Sequence, residues 1–216
     1  MENEPVKRRR GYDASRRRQQ ASDSRAAVLA AAHEHLLREG YAATTIPAVA
    51  AAAGVSAEFV YKNVGPKAAL LAAVLDVAIG GDDDPVPMAD RLGIRDLREL
   101  DTAWDVLDGY VRLMAPVQER VAPLLMLAAQ SSDTDAVTLL AKADAQRLTG
   151  MKGLAGHLYA LGGLLPELTV DRTRDLLWTY TSPQLYDLLV ACCGWSPADY
   201  ERHVREALVG ALLSSD

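Results

Sequence analysis

Thr44 to Leu71 reads TTIPAVAAAAGVSAEFVYKNVGPKAALL. Thr45 caps a short helix whose first turn holds Pro47, where a missing N–H costs little. Ile46, Val49, Ala50 and Ala53 recur as its apolar face. Gly54 supplies a tight turn, Val55 plugs the angle and Ser56 caps the next helix. Phe59 and Val60 face inward on that second helix, with Tyr61 and Lys62 near its outer edge. A further helix starts around Pro66 and carries Leu70, Leu71, Val74 and Leu75. Helix, Gly-Val-Ser turn and helix is the layout of a helix-turn-helix, whose second helix enters the DNA major groove.

Upstream, Asp23 or Ser24 caps a helix on which Val28, Leu29, Ala32, Leu36 and Leu37 fall near helical spacing. Gly40 ends it as a left-handed cap, and Tyr41 follows. Residues 1–21 have no apolar periodicity and read as a flexible, basic arm. Residues 1–25 hold eight basic and four acidic side chains, a net +4 on a chain of net -6. The remaining residues are therefore at -10, so a basic arm joins an acidic body. That asymmetry points to a local nucleic-acid contact and away from a general nucleic-acid coat.

The chain has 216 residues and is half apolar, enough for one large or two small cores. Low aromatic and high alanine content favour helix over sheet. No segment alternates like a strand, so the expected class is all-α. No apolar run is long enough for a membrane span, and the charged N-terminus lacks a secretory core, so the expected compartment is the cytoplasm without membrane contact. Cys192 and Cys193 are adjacent, which suits neither a structural disulfide nor zinc, and they read as core filling.

Residues 80–87, GGDDDPVP, read as a linker. Beyond it the pattern is helical, punctuated by Pro116, Pro123, Gly150, Gly162-Gly163 and Pro166. Ser182-Pro183 and Ser196-Pro197 each place a capping serine before a first-turn proline.

Gly40-Tyr41, Thr44-Thr45, Ala50, Ala53-Gly54-Val55-Ser56, Tyr61, Gly65, Lys67 and Leu70-Leu71 resemble, in order and spacing, the DNA-binding region of the TetR family of transcriptional regulators. The resemblance covers roughly residues 23–76, and the arm and the C-terminal tail are similar to those of one subgroup. Leu36 and Leu37 stand where an aromatic is common, Val64 replaces an aromatic and Pro66 a small polar cap. The resemblance implies an all-helical homodimer divided into an arm at 1–21, a helix-turn-helix domain at 22–66, and a helical ligand-binding and dimerisation domain at 67–216.

It also implies sites. Thr44, Thr45, Tyr61 and Lys67 match phosphate-contacting positions. Ser56, Ala57, Glu58, Lys62 and Asn63 are candidates for base readout, with Lys62 suited to guanine and Ala57 to a thymine methyl. Glu58 also suits the helix dipole without touching a base, and Asn63 also suits a helix end. Arg8, Arg9, Arg10, Arg16, Arg17 and Arg18 suit a narrow minor groove. Trp104, Tyr110, Met114 and Met126 are candidates for a ligand pocket, with Arg112, His157 and Tyr159 to orient a polar group. Trp178, Leu185, Tyr186, Leu189, Tyr200, Val204, Leu208 and Leu212 are candidates for a dimer seam, and core packing explains the same stripe equally well.

No cofactor, metal or catalytic set is expected: His33 and His35 diverge on their helix, and HExxH, GxSxG, P-loop and GxGxxG motifs are absent. The expected partners are a palindromic DNA operator, a small-molecule effector and a second copy of the chain, in a repressor. The alternatives are a ligand-independent activator or architectural protein, and a helical enzyme.

Overall fold

The computed structural model describes residues 7–81 and 90–214. It divides into two compact units, 1–74 and 75–216. The boundary therefore falls inside a helix, eight residues beyond the expected 66. Among the described residues there is no strand, only an isolated antiparallel bridge between Leu164 and Leu213.

The first unit opens with α1 (Lys7–Ala43). Residues 7–21, read above as an arm, continue this helix. Arg, Gln and Ala are strong helix formers, and no proline interrupts them. Exposed Gln19, Gln20, Ala21 and Ser22 show that propensity rather than packing forms this stretch. Packing begins where the apolar residues do: Val28, Leu29, Ala32 and Leu36 are buried.

The regular part of α1 stops at Gly40, whose φ of 81° and ψ of 168° are not the expected left-handed cap but a glycine-only region. The Thr44 N–H and hydroxyl both donate to the Gly40 carbonyl, at 3.2 and 2.8 Å, and fix the corner. A Cβ at Gly40 would meet nothing within 4 Å. Gly40→Ala is thus expected to destabilise the first unit through backbone strain alone, by about 1–3 kcal/mol in a denaturant titration. An unchanged midpoint would show that the corner relaxes freely.

Next come α2 (Ile46–Ala52), α3 (Ala57–Asn63) and α4 (Lys67–Gly80). Thr45 accepts from the Ala48 N–H at 3.3 Å, and Ser56 from the Phe59 N–H at 3.1 Å. Gly54 turns the chain at φ 68°, and Val55 N–H closes the turn on the Ala50 carbonyl at 3.0 Å. Leu70, Leu71 and Val74 of α4 are buried.

The second unit contains α5 (Leu92–Leu97), α6 (Ala103–Ala129), α7 (Thr134–Leu161), α8 (Val170–Tyr180), α9 (Pro183–Tyr186) and α10 (Pro197–Leu212). α9 runs on into a π-helical stretch, Asp187–Cys192. α6 packs on α7, α9 and α10, and α8 packs on α7 and α10. Pro116 and Pro123 lie inside α6 without ending it. They are one heptad apart on its exposed face, where water can solvate the carbonyls they leave unbonded. Ser182 and Ser196 cap α9 and α10 by accepting from Leu185 and Asp199 N–H groups.

Two expectations need correction here. Tyr186, Tyr200, Val204, Leu208 and Leu212, read as a dimer seam, are at most 5% exposed and form the core of their own chain with Leu107, Leu158 and Leu177. Trp178, Leu185 and Leu189 are half-buried against that core. Cys192 and Cys193, read as core filling, are exposed because the π-helical turn carries them outward.

Candidate nucleic-acid interface

α3 is seven residues long, and only Val60 on it is fully buried. At 100° per residue, Ala57, Tyr61, Glu58 and Lys62 share one continuous face. Glu58, Tyr61 and Lys62 are exposed, and Ala57 and Phe59 are half-buried. The face therefore presents a phenol, an ammonium, a carboxylate and a methyl group to one side. Ser56 is exposed but its hydroxyl oxygen is held by the Phe59 N–H, so its first task is the cap.

The far end of α3 is tied down by Arg25, which the sequence did not single out, and by Asn63, read above as also suited to a helix end. The Arg25 guanidinium on α1 donates to the Asn63 carbonyl at 3.0 Å, and the Asn63 amide donates to the Phe59 carbonyl at 2.8 Å. The terminal carbonyl of Asn63 is thereby satisfied, and the Asn63 side chain folds back on its own helix, which fixes the angle at which the outer face is held. Asn63 ends the helix and is not placed for base readout. No short motif marks Arg25, which lies 38 residues away in sequence.

The phosphate candidates separate. Tyr61 is 57% exposed on the outer face. Thr45 is exposed, with its hydroxyl oxygen on Ala48. Thr44 is 1% exposed with its hydroxyl and N–H both used on Gly40, so it is a corner-forming residue and not a phosphate contact. Lys67 donates to the Ala42 carbonyl at 3.0 Å and lies 4.3 Å from the Tyr41 ring centre. Arg16 is exposed on α1; the side chains of Arg8, Arg9, Arg10, Arg17 and Arg18 lie outside the described residues.

In the second unit the pocket candidates do not converge. Trp104 is 49% and Tyr159 57% exposed, and Arg112 points outward to pair with Asp108, so none of the three lines a pocket. Tyr110 is buried, Met114, Met126 and His157 are half-buried, and the His157 Nε2 has no partner. A cavity of about 120 Å³ lies elsewhere, between Ile79, Gly80, Arg91, Ile94, Leu113, Val117 and Arg120. Arg91 donates to the Gly80 carbonyl and Arg120 to the Ala78 carbonyl, both at 2.8 Å, at the C-terminal end of α4. No three His, Cys, Asp or Glu side chains among the described residues are grouped to hold a metal ion.

Comparison with known proteins agrees with this placement. Residues 28–74, which span the buried face of α1 through the first half of α4, match the model for bacterial regulatory proteins of the tetR family. No curated protein matches the chain. The fold is similar to that of NalD from Pseudomonas aeruginosa, at 22% identity over 90% of this chain and 99% of that one, with a TM-score of 0.68. It is similar to TylP, a TetR regulator from Streptomyces fradiae, at 20% identity over 90% and 88% of the two chains, with a TM-score of 0.59. The fatty acid degradation regulator FadR from Bacillus halodurans aligns at 16% identity over 84% and 92%, with a TM-score of 0.64. Residues 28–74 of this chain thus match the model for bacterial regulatory proteins of the tetR family, and the chain as a whole has an all-helical fold similar to that of these solved regulators.

Proposed function

We propose that the protein is a transcriptional repressor that binds a pseudo-palindromic operator as a homodimer and is released by a small molecule. The observation that carries the reading is α3, which spends only Val60 wholly on the core and leaves Glu58, Tyr61 and Lys62 on one open face. A dimer sets two such helices about one DNA turn, ~34 Å, apart. The first unit reads DNA; the second holds the effector and the dimer seam. NalD is described as a secondary repressor of a multidrug efflux pump, which supports the repressor sign. With the α10 stripe spent on the core, exposed apolar side chains such as Leu188 and Trp195 are candidates for the seam. This is a regulator rather than an enzyme, working in the cytoplasm; no single helix among the described residues is long and apolar enough to cross a membrane.

The test is selection of bound duplexes from a random DNA library at two salt concentrations. An enriched inverted repeat that survives the higher salt supports a dimeric sequence reader. Salt-sensitive binding with no enriched motif sinks the reading. On the selected operator, Lys62→Ala is expected to cost about 1–3 kcal/mol and to relax preference at one base pair. Equal loss on every sequence would make Lys62 a phosphate contact.

A second reading, a ligand-independent DNA-binding regulator, draws support from the small size of the cavity at the end of α4. About 120 Å³ falls below the roughly 300–1,000 Å³ of drug-sized sites. Release by an effector needs a differential affinity of about 5.5 kcal/mol to turn 99:1 into 1:99. A metabolite screen in which no compound moves DNA affinity would favour the second reading.

A further inference from the structure

The interior of the second unit contains a polar knot that packing alone does not require. Arg147 on α7 sits over the Trp178 ring of α8, 4.5 Å from its centre, and its Nη1 donates to the Trp178 carbonyl at 2.7 Å. Its Nε and Nη2 are buried without a hydrogen-bond partner. The nearest carboxylate, Asp144 one turn earlier, stands 3.9 Å from Nη2 and is half exposed at the rim. Beside Arg147, the Trp178 Nε1–H is also buried and unpartnered. The Tyr110 hydroxyl donates to the Met151 sulfur, at 3.7 Å, and is in hydrogen-bonding reach of the Thr181 side chain. The Thr181 hydroxyl lies 3.9 Å from that sulfur and donates to the Leu177 carbonyl. Gln118 donates to the Thr181 carbonyl at 2.6 Å and leaves its own oxygen unpartnered.

The imbalance has a sign. Guanidinium and indole N–H groups lie buried without acceptors, and the open Gln118 oxygen bonds none of them. A largely buried cation whose counter-charge stands 3.9 Å off at the rim is costly, and burial already lowers the Arg147 pKa from its usual value. Burial also pushes the Tyr110 phenol up to about 12, so it remains a donor throughout the ordinary pH range. The two open nitrogens of Arg147, Nε and Nη2, form the side-on edge of the guanidinium. That edge has the spacing of the two oxygens of one carboxylate. The surroundings are apolar: Met151, Leu158, Leu177 and Tyr200 are buried, and Met114 is half-buried. Methionine thioethers repack around an incoming body at low cost.

We propose that Arg147 is the anchor of an effector site for an apolar monocarboxylate, which its Nε and Nη2 grip in bidentate fashion between α7 and α8 beside Tyr110 and Trp178. The proposal rests on the reading of the second unit as an effector domain. A carboxylate supplies the two missing acceptors and the missing charge together, and an apolar tail suits the leucine and methionine walls. Asp144 acts as a weak stand-in at the rim, held too far away to satisfy Nη2.

The test uses the full-length protein and calorimetric titration with straight-chain carboxylates of graded length, phenylacetate and benzoate, each beside its primary amide. At least one acid is expected to bind saturably and at least about tenfold tighter than its amide, as a hydrogen-bonded charge pair requires. Arg147→Gln should erase the acid preference, and Arg147→Lys should keep part of it. Asp144→Ala, at an exposed position, should tighten acid binding several-fold by removing the competitor. No binding by any acid, equal binding of acids and amides, or unchanged acid affinity in both Arg147→Gln and Asp144→Ala overturns the proposal. Operator affinity is read in the same samples by fluorescence anisotropy. Acid binding that leaves operator affinity unchanged supports the carboxylate site and overturns ligand release.

Discussion

Leu208→Ala is expected to lower the free energy of unfolding by about 2–5 kcal/mol, the cost of emptying a leucine-sized volume in a packed core. Leu208 is 0% exposed within one chain, on the α10 face that also buries Tyr200, Val204 and Leu212 against α6 and α8. Tyr200 meets Tyr186 edge to face, with ring centres 4.8 Å apart, so the wall around Leu208 is stiff and collapses poorly into a gap. Leu188→Ala is the matching experiment. Leu188 is 57% exposed, and its truncation should change the stability of one chain by no more than about 0.5 kcal/mol. The two variants should therefore separate in chemical denaturation and in sedimentation. Leu208→Ala lowers the denaturation midpoint, whereas Leu188→Ala leaves folding intact and raises the concentration at which the dimer dissociates. If Leu208→Ala melted like the parent protein and instead dissociated more readily, α10 would be a seam and its burial within one chain would be misread.

That contrast locates the limit of what was legible in the sequence. The helix-turn-helix was readable because its signals are local: Thr45 and Ser56 cap within three residues, and Gly54 alone meets the turn's positive φ. The periodicity of Tyr200, Val204, Leu208 and Leu212 was equally plain, but it says only that one face is covered, not whose surface covers it. Arg147 was invisible for the opposite reason. In AKADAQRLTG it has the look of a solvated helix residue, and only α8 packed across α7 places its guanidinium inside. Arg25 escaped notice because its partner is a backbone carbonyl distant in sequence. Pro116 and Pro123 read only as punctuation of a helical pattern, since their tolerance inside one helix depends on facing water, which no local pattern encodes. The basic arm was read from missing apolar spacing, yet propensity suffices to extend α1 through it.

Deleting residues 1–20 is expected to weaken operator binding and to flatten its dependence on salt. The segment carries Lys7, Arg8, Arg9, Arg10, Arg16, Arg17 and Arg18, while the chain as a whole is at -6. Attraction to DNA must therefore come from where the positive charge is concentrated, against repulsion from the acidic body. Each phosphate neutralised contributes about 0.9 to the slope of log affinity against log salt. Loss of about three contacts across a dimer lowers that slope by about 2.7. Between ~50 and ~200 mM salt, the truncated protein then loses about 40-fold less affinity than the full chain does. The α3 face remains in place, held by Val60 and by Arg25, which the deletion spares. Base preference on the selected operator should therefore persist at low salt even as overall affinity drops. Anisotropy titrations of both proteins at four salt concentrations decide the matter. A slope identical in the two proteins would mean that the segment touches no phosphate and that its charge serves only solubility. A lost base preference would mean instead that these arginines read the groove themselves, and sequence reading would then be shared between α3 and the N-terminal end of α1.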